Sequence, residues 1–422
     1  MKRKDIVLQN IQLGKLVHGG QALAETEDGK KIFVWGGLPG ELVHARVIKK
    51  KKSYLEAIVA EVITPSPDRI MPLEPLSYLS TSPWQILSID AENRAKQAIL
   101  AETFDREKIA VNWTDFYADE AEIGYRNKME FGFWGDDDGV HLAHFVRGTH
   151  GKQSVTGSVL AHQIINDAAE AVRVELEKQD IWAGDLKSLI VRCSQEGKVV
   201  AALFVKKELT ELSRIKLPAI LQGLIIYYSN PQSPASVITK ELYALGDITL
   251  KDRINENYII YDVNSFFQVN LPVFKKTLAV IAKETQDQKT VDLYSGVGTI
   301  GIALGSDVLV ETDESNVAMA RINVHGLPVE VVHAASEDAL SYVTSDYTLI
   351  VDPPRAGLNQ AVIDRINVVK PQKIVYLSCN PSTQARDVSL LSESYKIAYA
   401  QGFNFFPRTP HIESLVVLEL KP

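Results

Sequence analysis

The chain of 422 residues is too long for one hydrophobic core, and its 45% hydrophobic and 23% charged residues are ordinary for a soluble globular protein of two or three domains. No apolar run approaches the roughly 20 residues of a membrane span, and the charged N-terminus lacks the apolar stretch of a signal peptide, so we expect a cytoplasmic protein. The net charge of −8 argues against nucleic acid as a partner, but basic residues outnumber acidic ones in residues 1–65, and such a basic front module can still bind a polyanion.

Residues 5–63 contain several short strand signals separated by glycine turns. Residues 32–35 form a β-type run, and residues 42–47 and 54–63 alternate apolar and polar side chains. Several short strands in about 60 residues predict a small closed barrel. A proline-containing linker follows, so we set the first domain at residues 1–63.

The middle of the chain mixes helix and strand signals. Residues 90–108 carry apolar side chains at helical spacing and predict a helix, which we expect to pack on the C-terminal domain. Residues 129–133 and 203–205 are strand-like, whereas residues 160–177 have helical periodicity. The pattern predicts a mixed α+β region over residues 64–255 and does not name its fold.

From residue 289 onwards, strands and helices alternate. Short apolar strands are predicted at residues 290–293, 308–310, 329–332, 349–351 and 374–377, with a helix at 314–325 and two late strands near Ile397 and at 415–420. The alternation predicts a mostly parallel sheet covered on both faces, and the late pair predicts an antiparallel addition. That shape fits a seven-stranded, Rossmann-like class I methyltransferase domain, set at residues 256–422, better than a dehydrogenase.

A glycine-rich loop follows the first of these strands. After Asp292, the residues Gly296, Gly298 and Gly301 satisfy the G-x-G-x-x-G pattern, which dinucleotide sites and S-adenosylmethionine sites share. Glu311 closes the second strand, where its carboxylate can accept the ribose hydroxyls of either cofactor. A plain strand-to-helix turn is the less favoured interpretation, because three glycines and an acidic residue coincide. The pattern alone leaves the identity of the ligand open.

An acidic residue and two prolines end the fourth strand. Asp352, Pro353 and Pro354 make a stiff loop with few conformers, at the strand ends where ligands of open α/β sheets bind. A surface turn is less favoured, because the motif lies beside the cofactor crevice. Enzymes that methylate amino groups of adenine or cytosine place an aromatic residue after such prolines. Here Arg355 follows them, which disfavours amino methylation.

The two cysteines of the chain are too few for a disulfide framework or for a metal site built mainly on cysteine. Cys193 is most simply a strand residue. Cys379 lies at the end of the fifth strand, just before a helix start at Ser382, and a helix N-terminus lowers thiol pKa. A lone cysteine is more often a buried apolar residue than a nucleophile, but this position makes Cys379 a candidate nucleophile.

The loop before the last strand, residues 405–414, carries His411 and Glu413. A general base placed there can reach the crevice. Considered alone, a solvated acid in a loop is the simpler interpretation.

Together the motifs resemble the RNA uracil-5-methyltransferase family. Five of them occur in the family's order: Phe267-Gln268-Val269-Asn270, Asp292-Leu293-Tyr294 with its glycines, Asp352-Pro353-Pro354-Arg355, Ser378-Cys379-Asn380-Pro381 and His411-Ile412-Glu413. Residues 5–63, with Phe33-Val34 and Leu38-Pro39-Gly40-Glu41, resemble the TRAM domain, an RNA-binding barrel of the OB type. Residues 124–131 match the family's central region, so the resemblance covers most of the chain.

The resemblance implies a mechanism and a set of site residues. Cys379 would attack carbon 6 of a uracil so that carbon 5 can take the methyl group of S-adenosylmethionine, and Glu413 would then remove the proton from carbon 5. The target base must leave its stack to reach the crevice. The implied cofactor contacts are Gln268, Tyr294, Gly296, Gly298, Glu311 and Asp352.

Three features depart from the family pattern. Many members carry an iron–sulfur cluster between the barrel and the central region, but the matching residues 79–85 contain no cysteine, so we expect a member without a cluster and without a metal. Residues 335–337, Ala-Ser-Glu, stand where the family usually has an Asp that binds adenine. The acidity of the chain predicts modest and salt-sensitive affinity for RNA.

Several alternatives stay open at the level of the sequence. Ribosomal RNA, 23S rRNA in particular, is favoured as substrate because tRNA-specific bacterial relatives commonly lack the barrel, and the T-loop uridine of tRNA comes second. We expect a monomer with no membrane partner. An NAD-dependent oxidoreductase fits the literal glycine pattern but leaves Cys379 and Glu413 unexplained. A non-catalytic RNA-binding factor is disfavoured because both of these residues are intact.

Overall fold

The structure is a computed structural model that describes residues 6–233 and 235–422. Its N-terminal part is a barrel of five strands in the order β1-β4-β5-β3-β2, with bounds β1 Val7–Gln12, β2 Ala22–Glu25, β3 Lys31–Trp35, β4 Leu42–Lys50 and β5 Tyr54–Thr64. Backbone hydrogen bonds of 2.8 and 2.9 Å join Leu23 to Gly14 and Lys15 and close the barrel. The alternating side chains fill its interior with Ile32, Val34 and other apolar residues, which confirms the predicted OB-type fold.

Two helices connect the barrel to the rest of the chain, α1 (Tyr78–Thr81) and α2 (Ile89–Arg106). Helix α2 confirms the helix predicted at residues 90–108, with its start and end shifted by one and two residues. It buries Ile99, Leu100 and Phe104, and also two charged side chains, Glu92 and Lys96.

The central region is built on a second sheet, in the order β12-β11-β10-β9-β6-β7-β8. Its elements are β6 Lys128–Asp136, β7 Gly139–Phe145, β8 Lys152–Ser154, α3 Gln163–Lys178, β9 Leu186–Cys193, β10 Val199–Val205, β11 Gly223–Tyr228 and β12 Lys240–Gly246. Only β10 and β11 run parallel. Strand β10 is buried at every position, because one face packs under α3 and the other packs against the C-terminal part of the molecule.

A β-hairpin links the central sheet to the C-terminal part. It consists of β13 (Thr249–Ile254) and β14 (Asn257–Asp262), with Asn255 in the left-handed region at φ 54°. The boundary predicted between residues 255 and 256 falls in its turn. Ile254, Ile259 and Tyr261 join the core that also contains α4, so the hairpin packs as one unit against both neighbours.

The C-terminal part contains the third sheet, in the order β17-β16-β15-β18-β19-β21-β20. Its elements are α4 Leu271–Thr285, β15 Thr290–Leu293, α5 Thr299–Leu304, β16 Val308–Glu311, α6 Glu314–Asn323, β17 Glu330–His333, β18 Thr348–Val351, α7 Gln360–Val369, β19 Lys373–Ser378, α8 Pro381–Leu391, β20 Tyr395–Phe403 and β21 Glu413–Leu420. This confirms a seven-stranded, mostly parallel sheet with a late antiparallel pair. Helix α6 ends two residues before the predicted residue 325.

The strand directions bring several chain segments to one edge of this sheet. The carboxyl ends of β15, β16, β18 and β19 meet there because these strands are parallel. Strand β21 runs opposite to β19 and begins at the same edge. Since Ser378 pairs with Ser414, the next residue after β19, Cys379, lies opposite Glu413.

Among the described residues, no helix is both long enough and apolar enough to cross a bilayer.

Candidate active site

A cavity of about 780 Å³ opens at the edge where these strands end. It is lined by the segments that follow β15, β16, β17, β18 and β19, by the segment before α4, and by the loop before β21. Its size lies within the usual range for cofactor and substrate sites. Of the implied site residues, seven line this cavity: Gln268, Tyr294, Gly296, Glu311, Asp352, Cys379 and Glu413.

One wall is built around Gly296, whose backbone has a φ of 58°. Its N–H donates to Oε2 of Glu311 at 2.8 Å, while Oε1 of Glu311 accepts from the N–H groups of Thr312 and Asp313 at 2.9 and 2.7 Å. Three backbone donors therefore hold this carboxylate at the cavity. A Cβ on Gly296 would meet nothing closer than Phe266 at 3.9 Å, so the backbone here is open to a ligand.

Gly298 does not line the cavity and has a different part in the loop. It caps the N-terminus of α5 with a φ of 87°, and an added Cβ would meet Ile302 and Leu309 at 2.7 and 2.9 Å. Its lack of a side chain lets α5 pack closely on the sheet. Gly301 serves the same purpose, because an added Cβ would collide with the side chain of Leu309. Its N–H also donates to the Asp292 carboxylate at 2.8 Å.

Tyr294 lies beside the glycine loop in a left-handed conformation, with φ 68°. Its hydroxyl accepts a hydrogen bond of 2.8 Å from Oγ of Ser336, and burial raises the pKa of the phenol. Ser336 belongs to residues 335–337, for which the resemblance implied an adenine-binding Asp, and here its hydroxyl contacts the tyrosine. A non-glycine residue with positive φ is uncommon and is frequently found at functional sites.

The segment before α4 is fixed by the central sheet. Nδ2 of Asn127 donates to the carbonyl of Gln268 at 2.9 Å, and Nη1 of the buried Arg192 donates to the carbonyl of Ser265 at 2.8 Å. These bonds hold Phe266 and Gln268 over the cavity. The sequence identified Gln268 by its motif, but only the structure shows which residues of the central region support it.

The polar groups around this half of the cavity fit a cofactor with donor groups. The buried side-chain oxygens without a hydrogen-bond partner among the described residues include Oδ1 of Asn316, which lines the cavity, and Oδ1 of Asp292 and Oγ of Ser295, which do not line it. Burial is also the largest influence that raises the pKa of Asp292 well above its usual range. The ribose hydroxyls and the ammonium group of S-adenosylmethionine carry the donors that such acceptors lack.

The other half of the cavity contains Cys379 and Glu413. Residues directly opposite on antiparallel strands have Cβ atoms about 5 Å apart, so the register of β19 and β21 places a thiol beside a carboxyl. Burial, followed by the carboxyls of Glu413 and Asp352, raises the pKa of the Cys379 thiol to about 11, against the opposing effect of Arg355. The sequence-based expectation that a helix N-terminus lowers this pKa is wrong for this structure, because burial and two neighbouring carboxyls dominate.

The two carboxyls near the thiol are themselves shifted. Burial, and then Asp352, raise the pKa of Glu413 well above its usual range, while Arg355 acts in the opposite direction. Burial raises the pKa of Asp352 to about 7. Carboxyls with raised pKa values can exchange a proton near neutral pH, which is what general acid–base catalysis requires.

Aromatic and cationic side chains complete this half. The ring of Phe406 lies 5.7 Å from that of His411 in an edge-to-face arrangement, and the Arg126 guanidinium lies 5.8 Å from the Phe406 ring. Burial, followed by Arg355, lowers the pKa of His411 to about 4, so its imidazole is neutral at physiological pH. Arg126 and Phe406 were seen only as parts of motifs, since the pattern did not show that these distant residues share a wall.

The stretch matched to the iron–sulfur site of other family members has a donor set that does not fit a cluster. Residues 79–85 contain no cysteine. Nε2 of Gln85 donates to Oε2 of Glu74 at 2.9 Å and to Oγ of Ser82 at 2.6 Å. Throughout residues 6–233 and 235–422, no group of three or more His, Cys, Asp or Glu side chains is arranged to hold a metal ion.

Comparisons with known proteins agree with this geometry. The chain matches the family model described as tRNA (uracil-5-)-methyltransferase over residues 89–341 and 338–421, and the TRAM domain over residues 9–60. An uncharacterized RNA methyltransferase of Halalkalibacterium halodurans is 30% identical over 432 residues, covering 92% of this chain and 91% of the relative. Another from Thermotoga maritima is 26% identical over 441 residues, covering 98% and 99%.

Among solved structures, the tRNA (uracil-54, C5)-methyltransferase of Pyrococcus abyssi, in complex with S-adenosyl-L-homocysteine, superimposes with a TM-score of 0.78. It is 23% identical, and the match covers 98% of this chain and 100% of the other. At 23% identity, this likeness supports the fold of the chain and nothing beyond it. Since the family model spans most of the sequence, the chain belongs to the tRNA (uracil-5-)-methyltransferase family and is an S-adenosylmethionine-dependent RNA (uracil-5-)-methyltransferase with a TRAM domain.

Proposed function

We propose that the enzyme methylates carbon 5 of a uridine in RNA through a covalent bond between Cys379 and carbon 6 of the uracil. The observation that carries this proposal is the register of β19 and β21, which places the thiol of Cys379 opposite the carboxyl of Glu413 at one end of the cavity. A nucleophile and a proton acceptor side by side at one end of a cavity are the two groups that this chemistry needs.

The roles of these residues follow from the reactivity of uracil. Carbon 5 is a weak nucleophile, and addition of the Cys379 thiolate to carbon 6 converts the ring to an enolate. S-adenosylmethionine, held at the glycine-loop wall, would supply the methyl group that the nucleophilic carbon 5 takes and would leave as S-adenosyl-L-homocysteine, and its positive charge would also favour the thiolate. The Glu413 carboxylate then takes the proton from carbon 5, and the electron pair released breaks the bond between carbon 6 and sulfur. Cys379 leaves as thiolate and the ring regains its double bond.

The cofactor half of the proposal uses the residues of the glycine-loop wall. We assign cofactor binding to Gln268, Tyr294, Gly296, Glu311 and Asp352, which line the cavity. We also assign Gly298 to cofactor binding, although it acts indirectly. It sets the shape of the glycine loop, because it allows α5 to begin against the sheet. The open backbone at Gly296 and the fixed carboxylate of Glu311 support this assignment.

For the RNA, we propose ribosomal RNA, 23S rRNA first, as the substrate class, following the presence of the barrel. A specific observation favours a second candidate, the T-loop uridine of tRNA. The Pyrococcus abyssi protein acts on tRNA, and its match covers 98% of this chain, so the presence of a barrel does not by itself separate the two substrates. We further propose that the chain acts as a cytoplasmic monomer made of the parts 1–63, 64–255 and 256–422.

Incubation with unmodified total RNA and S-adenosylmethionine labelled in its methyl group tests the proposal. Labelled 5-methyluridine that disappears with Cys379→Ala is the expected result, and the size of the labelled RNA separates rRNA from tRNA. Label on another nucleoside, or 5-methyluridine formed equally by Cys379→Ala, would overturn the covalent mechanism. A thermal-shift titration with S-adenosylmethionine and NADH tests the oxidoreductase alternative, to which family membership gives no support.

A further inference from the structure

The loop between β20 and β21, residues 404–412, is held by hydrogen bonds along most of its backbone. Its ends are set by the pairing of Phe403 with Glu413. Within it, the carbonyl of Phe405 accepts from Nδ2 of Asn270 at 3.0 Å, and the carbonyl of Pro407 accepts from the hydroxyl of Tyr125 at 3.0 Å. A loop of this length ordinarily lies free on the surface. Here the surrounding structure specifies its path.

Further bonds to this loop come from a buried ion pair on α2. Glu92 and Lys96 have fully buried side chains and lie 2.8 Å apart. Nζ of Lys96 donates to the carbonyl of Phe406 at 3.0 Å and to Oδ1 of Asn404 at 2.7 Å. The carboxylate of Glu92 accepts from the N–H of Arg408 at 3.1 and 2.9 Å, and Arg408 has a φ of 67°. The pair therefore fixes the loop at Arg408, a non-glycine residue in the left-handed region.

The barrel, the linker that follows it and the central region all approach this loop. The barrel does so through Gly20, where an added Cβ would meet Pro410 at 2.5 Å. The linker does so through Trp84, whose indole N–H donates to the carbonyl of Gly20 at 3.0 Å and whose backbone N–H donates to the carbonyl of Arg408 at 3.1 Å. The central region does so through Tyr125.

The side chains that this loop presents to the cavity are Phe406 and His411. They form the wall on the side of Cys379 and Glu413. A planar ring such as uracil needs a fixed wall to keep its carbon 6 in line with the sulfur, because small misplacements of reacting atoms slow a reaction strongly. Glu413 itself is held by strand pairing, so the loop determines the wall and not the position of the carboxyl.

A buried ion pair is a poor source of stability, because removing two charges from water offsets most of their attraction. Its geometry is its useful property. We infer that Glu92 and Lys96 are positioning residues for the proposed reaction: they hold residues 404–408 so that Phe406 and His411 form a rigid wall for the target uracil. The inference rests on the proposed function.

The test uses Lys96→Met, which removes both donors to the loop at similar side-chain length. Its matched control is Arg106→Met, which breaks the exposed pair Glu102–Arg106 at the same spacing on the same helix. The first readout is the rate at which saturating RNA substituted with 5-fluorouridine forms a denaturation-resistant bond to Cys379. This rate reports the steps before proton removal. The second readout is binding of S-adenosyl-L-homocysteine by calorimetry and of RNA by gel shift.

With Lys96→Met, we expect bond formation about tenfold slower, with both binding constants within about twofold of the unsubstituted enzyme. Arg106→Met should change neither. The double variant Glu92→Gln with Lys96→Met should be no slower than Lys96→Met alone, because the two residues act as one unit. Two results would overturn the inference. One is an equal rate of bond formation in Lys96→Met and Arg106→Met, and the other is a loss of binding in Lys96→Met as large as its loss of rate.

Tyr125→Phe provides a second route if Lys96→Met does not fold. It removes one hydroxyl, the donor to Pro407, and should slow bond formation about threefold without changing either binding constant. An unchanged rate in this variant would count against the inference. Failure of the proposed function is a separate result, since the unsubstituted enzyme would then form no bond that depends on Cys379.

Discussion

The molecule contains two seven-stranded sheets, and each carries one of the two cysteines. Cys193 ends β9 in the mixed central sheet, and Cys379 follows β19 in the mostly parallel sheet. Burial is the largest cause of a raised thiol pKa in both, to about 12 for Cys193 and about 11 for Cys379. Both thiols have a carboxyl and a guanidinium nearby, Asp252 and Arg192 in the case of Cys193. However, Cys193 packs in the apolar core under α3, whereas Cys379 lines the cavity.

On the proposed roles of the two cysteines, sheet topology, more than thiol pKa, separates the candidate nucleophile from a core residue. Parallel strands end together at one edge and leave a crevice where helices begin. In the central sheet most neighbours are antiparallel, so consecutive strand ends alternate between edges and the space around Cys193 is filled by side chains. Four experiments test this distinction between the two cysteines and their surroundings.

The largest expected effect is on turnover. Cys379→Ala should lower methyl transfer on the order of 10⁴-fold or more, because removing a nucleophile abolishes the covalent route. Cys193→Ala should stay within about threefold of the unsubstituted enzyme, because its side chain does not reach the cavity. Methyl transfer to unmodified RNA measures both. Comparable losses in the two variants would remove the distinction between the sheets.

Glu413→Gln should lower turnover on the order of 10³-fold, since it removes the proposed proton acceptor but retains the shape of the side chain. Cys379 can still add to carbon 6, so an enzyme–RNA adduct that survives denaturing electrophoresis should accumulate. With Cys379→Ala in addition, no such adduct should form. An inactive Glu413→Gln enzyme that forms no adduct would place this carboxyl in an earlier step.

In the folded state, iodoacetamide should alkylate Cys379 several-fold faster than Cys193. At pH 8 Asp352 is largely ionised, since its pKa is about 7, and its charge raises the pKa of Cys379. Asp352→Asn removes that charge and should increase the thiolate fraction and the alkylation rate of Cys379 by about 3- to 10-fold. Cys193 should react only when the protein unfolds. Mass spectrometry of the two cysteine peptides gives both rates in one experiment.

The smallest expected effect concerns stability. The folded-state pKa of Asp352 is about 7, above its ordinary value, so the folded state binds this proton more tightly and the free energy of unfolding decreases as pH rises from about 4 to 7. Asp352→Asn should therefore be more stable than the unsubstituted enzyme at pH 8, by about 1–2 kcal/mol after allowance for water in the cavity, and equal to it near pH 4. Urea unfolding at both pH values measures the difference. A variant that is less stable at pH 8 would contradict the assigned pKa.

The parallel sheet could be predicted from the sequence because its signals are local. Each strand is a short apolar run, and the motif residues Tyr294, Asp352 and Cys379 directly follow one. The central sheet could not be predicted in the same way. Strand β10 is apolar at all seven positions, since both of its faces are covered. Such a run has no alternation of apolar and polar residues, so it does not indicate which face is buried or in which direction the strand runs.

The residues that support the walls of the cavity could be predicted only in part, for a different reason. Lys96 and Asn404 are 308 residues apart in sequence, and Asn127 supports Gln268 across 141 residues. No pattern within one element reports such contacts. The direction of the pKa shift of Cys379 was wrongly predicted for the same reason, because burial in the folded chain raises this pKa most, followed by carboxyls from two other segments.

The place of β21 between β19 and β20 has a consequence for how the enzyme is made. Consecutive strands are usually neighbours, but within this sheet β20 pairs with β21, and β21 joins that hairpin to β19. A chain still on the ribosome that lacks residues 413–420 therefore has neither Glu413 nor a closed wall beside Cys379. If Cys379 and Glu413 act as proposed, we expect a nascent chain to stay inactive toward the RNA around it until these residues have emerged and β21 has paired with β19.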